Sequence, residues 1–157
     1  MKLTFLPPKE TLRYTHHLTQ RYGIPFSIMR GWQWYAFGSK VYIVTPPSIP
    51  DETYNLYAAG LLAFTDGKSF TPTTNLITAI GKYITQNRVI LEENHLSLFF
   101  ARQPIPLTNG MTLNLLSPGF VAVSFDGHII ASARATQTHL IPNLPSSEHG
   151  QKEKGKG

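Results

Sequence analysis

With 157 residues, 41% of them apolar, the chain can fill a hydrophobic core and is near the size of one ordinary domain or two minimal ones. It has no cysteine, which excludes disulfides, thiolate metal sites and a cysteine nucleophile, and leaves His, Asp and Glu as metal ligands. Fourteen Lys and Arg against nine Asp and Glu give a net charge of +5, which favours an anionic partner.

The longest apolar run, Tyr57 to Phe64, is eight residues interrupted by Gly60, far short of the about 20 that cross a bilayer, so no membrane helix is expected. Pro7, Pro8 and Lys9 cut off the apolar start too early for a signal peptide, and the expectation is a cytoplasmic protein.

Pro7 and Pro8 ahead of KETLRYTHHLTQRY, with Gly23 beyond, predict a helix over residues 8–22. Its spacing puts Leu12, Thr15, Leu18, Thr19 and Tyr22 on the buried side and turns Lys9, Arg13 and Arg21 to solvent. The runs WQWYA (32–36) and KVYIV (40–44), joined through Gly38 and Ser39, predict a hairpin. Alternation places Trp32, Trp34 and Ala36 on one face and Gln33 and Tyr35 on the other. The leading expectation is that these aromatics form the core of the first lobe; as both faces are not expected to be equally buried, the alternative is an exposed aromatic that stacks on an unpaired base. Prolines 46, 47 and 50 end the hairpin, and Asp51 is the expected N-cap of a helix to about Ala63. Thr65 to Ser69 reads as a turn around Asp66-Gly67. Thr73 or Thr74 caps a third helix reaching Tyr83, with Leu76, Ile77, Ile80 and Ile84 at helical spacing.

From Arg88 the pattern changes to short strands with turn signals every eight to twelve residues, as in small barrels. RVIL (88–91) reads as a strand, His95–Ala101 as a short helix, PIPL (104–107) as an edge strand and MTLNLL (111–116) as another strand. FVAVSF-DG-HIIASARAT is a hairpin whose Asp126-Gly127 suits the positive φ angles of a type I′ turn. Alternation sets Ile129, Ala131, Ala133 and Ala135 on one face and Ile130, Ser132, Arg134 and Thr136 on the other. The fold expected is α+β: an N-terminal α/β lobe over residues 1–86, a mixed β-barrel lobe over 87–145, and a disordered polar tail over 146–157.

Charge is uneven along the chain. Residues 1–85 hold eight basic groups against four acids, residues 86–145 balance at three against three, and the last twelve residues add +1. The six histidines share no ligand spacing, and His16 and His17 face about 100° apart on a helix, so no metal is expected. No Gly-rich phosphate loop, G-x-S-x-G elbow or H-E-x-x-H occurs, and Glu92-Glu93 point to opposite faces of a strand. The chain therefore reads as a non-enzyme without cofactor or small-molecule substrate. The basic residues of the first helix are more often a solvated face than a binding surface.

The segments LPPKETLRYTHHLTQRYG, KVYIV, GLLAFTDGKSF, TAIGKYI, RVILEENHLSLFFARQPIPL and PGFVAVSFDGHIIASARATQ occur in an order that resembles the Nip-seven proteins. These are large-subunit ribosome-biogenesis factors of archaea and eukaryotes with an N-terminal α/β domain and a C-terminal PUA domain. The likeness spans most of residues 5–142. It implies a PUA-like second lobe, RNA binding through its basic residues, and an rRNA-processing or assembly role with protein partners, nucleolar in eukaryotic relatives. Arg134 falls where the family has a basic residue ending that strand. Two departures imply a C-terminal RNA surface that is weakened or displaced toward Arg102, Arg88 and the first lobe: His139, Leu140 and Ile141 stand where relatives place further basic residues, and Ala101 where the family's PUA entry usually has glycine.

The RNA-contacting candidates are Arg134, Arg102 and Arg88, with Gln137 and His139 beside them and Lys40, Lys68 and Lys82 in electrostatic support. The alternatives are an RNA-targeting accessory subunit of an RNA-modifying enzyme, and a protein adaptor without RNA affinity.

Overall fold

The computed structural model describes residues 4–44 and 60–144; the expected N-cap at Asp51 and the expected tail lie outside them. The chain is α+β, with two sheets and four α-helices among the described residues.

The first sheet has antiparallel order β1-β2-β3-β4-β5, from β1 (Thr4–Phe5), β2 (Gln33–Phe37), β3 (Lys40–Val44), β4 (Leu61–Asp66) and β5 (Thr71–Pro72). Helix α1 (Pro8–Tyr22) covers it and ends at Gly23, whose φ of 79° lets its N–H close on Thr19 O at 2.9 Å. The short α2 (Phe26–Met29) follows, and α3 (Thr74–Ala79) is capped by Thr73, whose hydroxyl accepts from Leu76 N–H at 3.0 Å. A 3₁₀ turn, Gly81–Tyr83, ends this half.

Three expectations are corrected here. Leu12 is 60% exposed, and the inward stripe of α1 is Tyr14, Leu18 and Tyr22. The larger ring turns the helix: Tyr14 stacks on Trp34 at 5.4 Å and packs against Phe64 at 5.4 Å. The helix expected to reach Ala63 does not, because residues 61–66 form β4 and pair with β3, Val41 opposite Phe64. Gly60, at φ 91°, turns the chain into that strand where a Cβ would meet Ile43 O and Tyr35 Oη at 2.7 Å. Both faces of the hairpin are covered: Trp34 is 2% exposed, and Tyr35, 1% exposed, lies beneath Phe5 and Tyr42.

The second sheet is mixed and curls into an open half-barrel of order β7-β11-β10-β9-β6-β8. It is built from β6 (Arg88–Leu91), β7 (Ile105–Pro106), β8 (Thr112–Leu113), β9 (Gly119–Phe125), β10 (His128–Ala135) and β11 (His139–Pro142). Strand β6 runs parallel to β9, and α4 (Glu93–Phe100) leads from β6 back toward β7. The Asp126-Gly127 turn has φ angles of 53° and 82°, as the primed turn requires. A bulge between Ile129 and Ala131 reverses the expected phase: Ile129 packs into the first core, while Ile130 joins Ala131, Ala133 and Ala135 in the second.

The two sheets share a seam. Ala122 belongs to the first core, α3 lies along β10, and Ser132 is buried with its N–H on Thr74 Oγ1 at 3.2 Å. Arg21, expected in solvent, is instead half-buried and donates three hydrogen bonds into the second half, to Phe120 O, Ser117 Oγ and Ser117 O. Asn87 sits at the centre of the seam, 1% exposed, and its amide joins Arg21 O to Leu116 N–H.

Candidate nucleic-acid interface

The eight sequence candidates fall into separate groups. Arg134, Gln137 and His139 lie together at the β10–β11 turn. Alternation along β10 directs Ser132 and Arg134 to the face that meets the first half; α3 covers Ser132, but Arg134 lies further along and is exposed. Among the described residues nothing hydrogen-bonds to its guanidinium or pairs with it. The turn beside it is held by Thr136, whose hydroxyl accepts from Thr138 N–H at 3.2 Å and His139 N–H at 2.9 Å. His139 Nδ1 is 2.8 Å from Thr138 Oγ1, which orients the ring, and Gln137 projects from the tip.

The second group lies at the opposite end of β10, about 20 Å away over six residues of strand. Here the 3₁₀ turn after α3 faces the β9–β10 hairpin across a cleft of about 360 Å³, lined by Thr78, Gly81, Lys82, Arg88, Gly127 and His128. Lys82 is exposed, with its ammonium 5.2 Å from the Tyr83 ring. Arg88 is half-buried: Nη1 makes a long 3.4 Å bond to Ile84 O, and Nε is buried without a partner among the described residues. His128 was not anticipated. The Asp-Gly turn put it at the start of β10, but nothing local indicated that this tip would fold against the end of α3.

Lys40 and Lys68 form a third group, both exposed, on two turns of the first sheet joined by Gly67 N–H to Ser39 O at 2.8 Å. Nearby Arg13 lies over the Phe70 ring at 5.1 Å and pairs with Glu10 at 3.0 Å. Arg102 stands apart, after α4, with a positive φ of 61° and Nη1 toward Leu144 O at 3.5 Å. The expected companionship of Arg134 with Arg88 and Arg102 is thus not one contiguous patch. Among the described residues no three His, Asp or Glu side chains gather as metal ligands, and no helix is long and apolar enough to cross a membrane.

Behind the third group's turns, His17 stacks on Phe70 at 4.3 Å and 8°. Burial, with Arg21 and His16 adding repulsion, pushes its pKa down to about 4. The unfolded chain takes up this proton near pH 6.5, so the stability that neutral His17 contributes is complete above that pH and is lost as pH falls toward 4. Screening at this partly exposed ring holds the loss to about 2 kcal/mol. Urea unfolding at a series of pH values should show this decline, and His17→Leu should flatten it; an unchanged decline in the variant would assign it to other groups.

Compared with protein-family models the chain matches none, and no curated protein matches its sequence.

Proposed function

We propose that this chain is a non-catalytic RNA-binding protein whose second half is PUA-like, and that it assists large-subunit ribosome assembly alongside protein partners. The observation that carries the reading is the exposed guanidinium of Arg134, unpartnered among the described residues, beside the ordered turn that presents Gln137 and His139. An exposed arginine at a sheet end, unpartnered among the described residues, suits a phosphate or base-edge contact, and two hydrogen-bonding side chains beside it supply orientation. The net charge of +5 adds attraction for a polyanion. The curled mixed sheet, with α4 between β6 and β7, agrees with a PUA-like lobe, and the resemblance to the Nip-seven proteins points to rRNA as the target.

Arg134→Ala is expected to weaken binding of single-stranded rRNA fragments about tenfold, the usual effect of losing a charge-assisted hydrogen bond. Its urea midpoint should not move, since Arg134 is exposed and makes no side-chain hydrogen bond or ion pair among the described residues. Fluorescence anisotropy with labelled fragments measures the first, and unchanged affinity in the variant would remove Arg134 from the interface.

A further inference from the structure

We propose that the cleft at the seam is a binding site for a phosphate monoester, supplied by the terminal phosphate of a nucleic-acid strand. This deepens the RNA reading and rests on it for the source of the phosphate, though not for the chemistry.

Charge is the first argument. Lys82 and Arg88 line the cleft, and among the described residues no carboxylate does; Asp126 neighbours Gly127 in sequence but stays outside the lining. Two permanent cations match a monoester, which carries about −1.5 to −2 at neutral pH and offers three acceptor oxygens. A phosphodiester within a strand carries a single charge and would leave one cation unanswered.

Hydrogen bonding is the second. Among the described residues Arg88 makes a single hydrogen bond, the long one from Nη1 to Ile84 O. The guanidinium therefore keeps N–H donors beyond that long bond, and an anionic oxygen in the cleft that Arg88 lines would serve them. His128 adds a ring nitrogen from the facing hairpin, so the ligand would be held from both halves of the chain.

Shape is the third. At the floor Gly81 lies so close to Ile129 that a Cβ would come within 2.8 Å, whereas at the rim a Cβ on Gly127 would meet nothing within 4 Å. The cleft is closed beneath and open above, and its about 360 Å³ lies at the small end for ligand sites. No Phe, Tyr or Trp lines it, so it offers a phosphate cradle and no platform for stacked bases.

The test compares one short single-stranded RNA carrying a 5′ phosphate, a 3′ phosphate or hydroxyls at both ends, bound to the full chain and followed by anisotropy. One phosphorylated form should bind about tenfold tighter than the hydroxyl form. Lys82→Gln and His128→Gln, both at exposed positions, should abolish that preference, whereas Arg134→Ala should weaken all three RNAs alike. Equal affinity for the three RNAs overturns the site and leaves the RNA reading standing. If no RNA binds, the RNA reading falls and inorganic phosphate decides the chemistry through the amide NMR signals of Gly81 and Gly127. Shifts that Lys82→Gln removes keep the cleft as a site for free phosphate; unmoved signals overturn it.

Discussion

Asn87→Ala is expected to remove about 3–5 kcal/mol of folding stability, read as a large drop in the urea midpoint. Asn87 is 1% exposed and every polar group it owns is used. Its backbone N–H reaches Asn114 O at 2.7 Å and its carbonyl accepts from Ala122 N–H at 3.0 Å. Its side chain donates to Arg21 O and accepts from Leu116 N–H at 3.0 Å. Truncation leaves the part-buried Arg21 carbonyl and Leu116 N–H without this partner, at about 1–2 kcal/mol each. Asn87 also has a φ of 57°, a conformation that asparagine tolerates and alanine does not, which adds about 1 kcal/mol. Asn87→Gly separates the two causes, since glycine accepts the backbone angle and should recover only that last part. A loss below about 1 kcal/mol in both variants would mean that the seam does not depend on this amide.

Arg21→Ala ranks next, with an expected loss of about 2 kcal/mol and faster hydrogen exchange in β9. The guanidinium serves three acceptors at once: Nε to Phe120 O at 2.8 Å, Nη1 to Ser117 Oγ at 2.7 Å and Nη2 to Ser117 O at 2.9 Å. Water can replace part of this at the exposed Ser117, which is why the loss is smaller than three full charged hydrogen bonds. Gly119, at φ 138°, makes the approach feasible, because a Cβ there would press on Arg21 Nη2 at 3.1 Å. Arg21→Lys should recover little, since an ammonium lacks the planar fork that spans the three acceptors. Full rescue by lysine would show that charge alone, without the fork, holds the contact.

Where local chemistry decides the structure, it was legible. The prolines before α1 and Gly23 after it bounded the helix, Thr73 capped α3, and Asp126-Gly127 closed the β9–β10 hairpin as its turn type demands. Where partners distant in sequence decide, it was not. Residues 61–64 are apolar without a clear period, so pairing with β3 settled them as strand. Ile129 changed face through a bulge and packs close against Gly81, far earlier in the chain. Arg21 occupies a polar position on an amphipathic helix, and only the other half of the molecule turns it into a clamp. The same reason governs the candidate site. Arg134 stands exposed at a sheet end as strand alternation implied, while the meeting of Lys82 and Arg88 with His128 depends on how the halves dock.

The central claim is that the free cations of this chain take up RNA phosphates, and the salt dependence of binding addresses it most directly. With three or four phosphates neutralised, a plot of log K against log salt for single-stranded RNA should slope about −2 to −4, and less steeply by about one in Arg134→Ala. Affinity that stays flat from low to moderate salt, or that is absent at low salt, would contradict the account.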